Sequence, residues 1–219
     1  MKAETLTKLQ QAARDDMLRL VYFDAAGISA SPPVQRGWSP IGEPHCIVPQ
    51  PHCKRSVLGA LDFGANVLRH QSYKESIKRP TVVQFLDQTA RESDPSKMTV
   101  VVLDNAKIHH DIDQETLNRW LVDHRMVLFY LPTYSPELNM IEIVWKHAKY
   151  HWRRFVTWTK ETIDAEIASL LGAYGTKFQI NFSCSSLDIQ PSISGFNRRS
   201  KGQKSDTKIA KTAKIAKTA

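Results

Sequence analysis

With 219 residues, 42% of them hydrophobic and 24% charged, the chain is long enough for one ordinary α/β domain plus a tail, and its composition is globular rather than disordered or membrane-spanning. No apolar run approaches the roughly 20 residues needed to cross a bilayer, and residues 1–20 mix charges of both signs without an apolar signal region, so a cytoplasmic, nucleoid-associated protein is expected. The formal charge of +8 suggests a polyanionic partner, yet residues 198–219 carry eight Lys or Arg against one acid, Asp206, which leaves the rest of the chain nearly neutral.

In chain order, residues 3–18 combine helix formers with charges and predict a short leading helix. Leu18 to Phe23 is a compact apolar run ending on Asp24 and followed by Ala25-Ala26-Gly27, which reads as a buried strand and a turn. From Ser31 to Lys54 six prolines predict a long irregular connection. Within it, His45, Cys46, His52 and Cys53 offer nitrogen and sulfur donors, but their spacing matches no common zinc finger. Cys46, Cys53 and Cys184 are an odd number and too few for a disulfide framework.

Ser56–Phe63 and Asn66–Tyr73 predict an antiparallel hairpin around Gly64-Ala65. Pro80 stands at the first turn of an amphipathic helix carrying Val83, Phe85, Leu86 and Ala90. Met98–Leu103 is a second apolar strand ending on an aspartate, Asp104. A helix near Gln114–His124, a strand at Met126–Leu131, a turn with Pro132, Tyr134 and Pro136, and a long helix from Asn139 to Phe155 follow. A helix at 160–171 and a strand at 177–182 complete the folded part.

The order β-β-β-α-β-α-β-α is the ribonuclease H-like one: a mixed five-stranded sheet with helices on both faces. Residues 1–17 are expected to be a leading helix and linker, 18–182 the α/β domain, and 183–219 a basic, disordered tail. The tail ends in a repeated hexamer at 208–213 and 214–219, too polar to build a core. It either grips phosphates nonspecifically or is a solvated extension.

Two apolar strands that each end on an aspartate are the central feature. In this strand order the first and fourth strands are parallel neighbours, and ligands collect beyond the carboxyl ends of such strands. Adjacent carboxylates repel unless a cation sits between them, and a hard divalent ion suits oxygen donors. On the long helix Ile141, Trp145, Ala148 and Trp152 form a buried stripe, with Glu142 at its edge near the helix start. Lys146, Lys149 and Arg153 follow Glu142 as a basic row suited to a phosphate backbone. Plainer readings exist: an aspartate after a strand can be a turn or cap residue, and Glu142 with Lys146 can be a surface ion pair.

The segments V-V-L-D-N-A-K-I-H (101–109) and L-P-T-Y-S-P-E-L-N-M-I-E-I-V-W (131–145) closely resemble the DDE transposases of the mariner-like superfamily, in particular the branch carried by bacterial insertion sequences. Phe23-Asp24-Ala25-Ala26-Gly27-Ile28 resembles the family's first motif, with Ala25 where Glu is usual, and Gly37–Glu43 is also similar. The resemblance extends over about residues 15–182. It implies that Asp24, Asp104 and Glu142 are metal ligands holding two Mg²⁺ (or Mn²⁺) ions for cleavage and strand transfer of double-stranded DNA, with insertion at TA sites. Thirty-seven residues separate Asp104 from Glu142; Glu137, in the turn, competes by spacing while Glu142 matches the motif.

His109 either approaches phosphate, orients a ligand or has a structural or capping role; Lys107 either touches phosphate or is solvated. Only about 18 residues precede the first strand, so a separate helix-turn-helix polypeptide is expected to read the element's ends. By analogy with synapsis of two ends, the protein is expected to dimerise. Two alternatives stand beside this reading: an inactive remnant that only binds DNA or oligomerises, and a ribonuclease H or junction resolvase on the same fold, though those lack the 134–139 motif.

Overall fold

A computed structural model describes residues 2–33, 41–43, 53–154 and 156–182, together with the backbone of 192–194. The elements are α1 (Lys2–Arg14), β1 (Leu18–Ser29), β2 (Lys54–Asp62), β3 (Val67–Tyr73), α2 (Arg79–Arg91), β4 (Met98–Leu103), α3 (Gln114–His124), β5 (Met126–Tyr130), α4 (Ile141–His147), α5 (Ile163–Gly172), β6 (Gln179–Asn181) and β7 (Ser192–Ser194). The five-stranded sheet has the order β3-β2-β1-β4-β5. The β1–β2 and β2–β3 pairs are antiparallel, and the β1–β4 and β4–β5 pairs parallel. This is the ribonuclease H-like α/β arrangement that the sequence predicts.

Alternation along the strands sorts the core into two layers. Val21, Phe23, Leu58, Ala60, Val101 and Leu103 pack under α2 and α3. Leu20, Tyr22, Ala26, Ile28, Val100 and Val102 pack on the other face with residues of α1, α4 and α5. Side chains at even numbers in β1 and β4 therefore face α4, and that parity decides where the acids point.

Local signals account for the helix ends. Pro80 sits in the first turn of α2, where its missing N–H costs nothing. Asp113 caps α3 by accepting from the Thr116 backbone N–H at 2.8 Å, a contact worth about 1 kcal/mol. Arg125 closes the same helix in the left-handed region at φ 49°.

Four expectations change. First, no turn follows Asp24: β1 continues to Ser29, because residues 24–29 pair with 54–59 of β2 after β4 has ended. Second, the long helix is shorter than the 139–155 span. It runs as α4 and then one π-helical turn, Ala148–Trp152, before Arg153 turns extended (φ −69°, ψ 136°). The wider turn lays Trp152 flat on Phe178, with ring centroids 5.1 Å apart.

Third, the leading helix is part of the fold rather than a linker: Leu6 and Ala13 are in the core, and Gln10 Nε2 donates to Tyr22 Oη at 2.7 Å. Fourth, the chain does not lose all regular structure after residue 183, since β7 pairs with β6. Most of Gly37–Glu43, three of the four candidate zinc donors (His45, Cys46 and His52), Phe155 and the repeated hexamers lie outside the described residues.

Candidate functional site

The parallel ladder between β1 and β4 ends at Tyr22 opposite Val102. Asp24 and Asp104 each follow two residues later on their own chain, so the register brings them to the same level beyond the last pair. By parity Asp24 is on the α4 side, and Asp104, just past the end of β4, lines a cleft with Glu142 of that helix. Glu142 lies in the first turn of α4, where the helix dipole favours a carboxylate.

The three acids have different surroundings. Asp24 is only 8% exposed, and Trp145 Nε1 donates to its Oδ2 at 3.1 Å. Burial, and then the neighbouring Glu142 and Asp104 carboxylates, push its carboxyl from an ordinary 3.8 up to about 7. Asp104 is half-buried and goes the other way. The hydrogen bond from His109 first, and the Ala106 backbone N–H as well, hold its carboxyl below the usual range against the effect of burial. Both bonds fall on Oδ1, from His109 Nδ1 at 2.6 Å and Ala106 N at 3.0 Å. Because an ionised carboxylate only accepts, the imidazole carries its proton on Nδ1. Glu142 is exposed.

Asp104, Asn105, Thr133, Tyr134, Asn139 and Glu142 line a cleft of about 340 Å³. A shallower groove of about 320 Å³ shares Asn139 and Glu142 with it and reaches Lys146. Asn139 is almost fully buried. Its Nδ2 donates to the Phe23 carbonyl at 3.2 Å, a group close to where β4 leaves the ladder, while its Oδ1 is buried without a partner. Asn105 Nδ2 bonds the Leu131 carbonyl and steadies the loop after β5. Tyr134 projects at the cleft edge, 96% exposed, from a left-handed backbone at φ 57°.

Among the described residues no three Asp, Glu, His or Cys side chains are gathered tightly enough to hold a metal ion as they stand. The donor chemistry nonetheless suits a hard divalent cation. Burial first, and the Glu142 and Asp104 carboxylates after it, push Asp24 toward its neutral form, which a bound cation would oppose, and Asp104 and Glu142 line one cleft.

The remaining sequence candidates separate. Lys107 and Lys146 are exposed and Lys149 is half-buried, all compatible with a phosphate contact. His109 is not: it is 1% exposed, its ring is edge-on to Phe23, and its Nδ1 is committed to Asp104. Its position fits a structural role and the orienting of Asp104 rather than a phosphate contact. Arg153 also leaves the basic row. Its guanidinium bonds the Ser29 carbonyl at 2.6 Å and the Ala30 carbonyl, and lies 3.6 Å from the Trp158 ring centroid, so it ties down the end of β1. Glu137 is in a 3₁₀ turn and lines only the shallower groove.

Sequence reasoning missed Asn139 and assigned Trp145 to the core alone. The sequence signal for Asn139 was its place in the 134–139 motif; Trp145 gave none beyond its helical spacing.

A family model described as DDE superfamily endonuclease matches residues 19–163. Among solved structures, the Mos1 mariner paired end complex with Mn is 16% identical with a TM-score of 0.53, covering 78% of this chain and 54% of that one. The Mos1 strand transfer complex is 16% identical with a TM-score of 0.48, covering 79% and 58%. A simian T-cell lymphotropic virus intasome in complex with a PP2A regulatory subunit is 10% identical with a TM-score of 0.47, covering 72% and 49%. The chain thus spans about half the length of the structures it matches, and at such identities the likeness is one of fold. No curated protein matches significantly. Among the described residues no helix is long and apolar enough to cross a membrane.

Proposed function

The chain belongs to the DDE superfamily endonucleases, and from that premise we propose that it is the catalytic domain of a transposase that cuts double-stranded DNA at element ends and joins them to a target. The observation that carries this reading is that Asp24 and Asp104 stand two residues beyond the last pair of adjacent parallel strands, Asp24 bonded to Trp145 of α4 and Asp104 lining one cleft with Glu142 of the same helix. Asp24, Asp104 and Glu142 are the residues that would hold two Mg²⁺ or Mn²⁺ ions. When bound, such ions activate a water or 3′-hydroxyl and stabilise the leaving oxygen.

The chain's own groups do the rest. His109 keeps Asp104 ionised and fixes its Oδ1, so the carboxylate needs no reorganisation to accept a cation. Asn139 ties the start of α4 to the strand that carries Asp24, which holds Glu142 at the site. Lys146 lines the shallower groove with Glu142, Lys149 follows it in the next turn and Lys107 follows Asp104, so positive charge is available beside the cleft where a phosphate backbone would lie. Residues 18–182 form the catalytic unit in this reading, and the basic residues from 198 onward add nonspecific grip on DNA. Sequence-specific reading of element ends falls to a helix-turn-helix polypeptide, synapsis to a homodimer, and insertion to TA sites.

The test is cleavage of duplex DNA carrying candidate terminal repeats, against RNA–DNA hybrids of the same sequence, in Mg²⁺ or Mn²⁺. Metal-dependent cutting of the duplex is the expected result. Cutting of the hybrid alone would place the protein with the ribonucleases, and binding without cutting would make it an inactive remnant.

A further inference from the structure

We propose that Trp145 is a positioning residue for the cation site, setting the separation between Asp24 and Glu142, and that residue 59 is glycine because only a glycine leaves room for its ring. This rests on the reading of Asp24 as a cation ligand.

Trp145 is 2% exposed and would count as core on its burial alone. A buried indole N–H usually finds an acceptor, and this one donates to Asp24 Oδ2 at 3.1 Å rather than to a backbone carbonyl. The other end of the same ring lies over Gly59. A Cβ built on Gly59 would stand 2.5 Å from both Cη2 and Cζ2 of Trp145 and 3.0 Å from Ile141 Cδ1, far inside contact distance.

Gly59 and Asp24 are cross-strand partners in the β1–β2 ladder. One ring is therefore held at its six-membered end by a bare backbone and at its N–H by the carboxylate on the neighbouring strand. Trp145 is also three residues from Glu142, on the same side of α4. The helix that presents one acid is thus bolted, through the indole, to the strand that presents another. Trp145 never touches DNA in this arrangement; it acts through Asp24.

The test compares Trp145→Phe, Gly59→Ala, the double variant and Asp24→Asn, all in the full chain. Mn²⁺ binding to protein stripped of metal is read by electron paramagnetic resonance, with thermal melting in chelator as the measure of folding. Trp145→Phe keeps an aromatic ring and loses the N–H, so Mn²⁺ binding is expected to weaken about tenfold, the usual effect of removing a group that orients a ligand. Gly59→Ala keeps the N–H but displaces the ring, and is expected to weaken Mn²⁺ binding and lower the melting temperature together. In the double variant the ring atoms that the new methyl would meet are gone, so Gly59→Ala should lower the melting temperature less than it does alone.

Wild-type Mn²⁺ affinity in Trp145→Phe, with binding lost in Asp24→Asn, would overturn the positioning role and leave the proposed function standing. Wild-type affinity in Asp24→Asn would overturn the proposed function itself. Should Trp145→Phe fail to fold, Gly59→Ala carries the test alone, and unchanged Mn²⁺ binding with its ring displaced would overturn the inference.

Discussion

Asp24→Asn is expected to make the metal-free protein more stable above neutral pH, even though it removes a proposed ligand. The Asp24 carboxyl moves from 3.8 to about 7 on folding, chiefly through burial and then through Glu142 and Asp104. Between those values the unfolded chain has released the proton while the folded chain keeps it. Stability therefore falls as pH rises through the window, at up to about 1.4 kcal/mol per unit, and levels off above pH 7. Three units would give roughly 4 kcal/mol; Glu142 is exposed and water screens its share, so about 2–3 kcal/mol is the expected penalty at pH 8.

Asparagine carries no charge to desolvate and can still accept from the Trp145 N–H. Urea unfolding in chelator at pH 5 and pH 8 measures the difference directly. The variant should gain on the wild type by about 1–2 kcal/mol between the two pH values, the part of the penalty that accrues above pH 5. Added Mn²⁺ should restore the wild type at pH 8 and leave the variant unchanged. If the stability difference is the same at pH 5 and pH 8, the raised Asp24 carboxyl, and with it the combined effect of burial and the neighbouring acids, is refuted.

The other expectations concern the residues around this site. His109→Ala should raise the Asp104 carboxyl toward its ordinary range, read by carbon-13 titration of the Asp104 side chain. The stability that the depressed Asp104 lends, present above its unfolded value and lost as pH falls through its folded one, should shrink accordingly. Arg153→Ala should cost about 2–3 kcal/mol in urea unfolding, because the carbonyls of Ser29 and Ala30 lose a charged donor, while DNA affinity changes little. Lys146→Ala should do the reverse: stability within about 0.5 kcal/mol of wild type, weaker DNA binding, and a log–log salt slope reduced by about one in fluorescence anisotropy titrations.

Apolar runs and their spacing made the architecture legible. Leu18–Phe23, Met98–Leu103 and Met126–Leu131 are short runs bounded by polar residues, and they became the three parallel strands. The stripe Ile141, Trp145, Ala148 and Trp152 is buried throughout, as its spacing requires. The errors came where a distant partner overrides a local signal. Ala25-Ala26-Gly27 has the small side chains of a turn, but β2 supplies hydrogen bonds from 30 residues away and keeps the chain extended.

Arg153 fits a helical basic row by number, yet carbonyls at the end of β1 and the Trp158 ring draw it out of the helix. Chemical type alone also hid two roles. A histidine in a motif does not reveal that its ring is buried against Asp104, and a tryptophan in an apolar stripe does not reveal where its N–H points. That Asp24 and Asp104 stand level, by contrast, follows from strand order, and Glu142 from the helical stripe and its motif, all of which the pattern of the chain carries.

Nicking of supercoiled plasmid DNA by the purified full chain in Mg²⁺ or Mn²⁺, compared between the wild type and Asp104→Asn, probes the three-acid site most directly. The wild type should nick only with metal present. Asp104→Asn should not nick at all while keeping the same far-ultraviolet circular dichroism and a cooperative melt. Metal-dependent nicking by Asp104→Asn at the wild-type rate would contradict the assignment of the cleft as the catalytic centre.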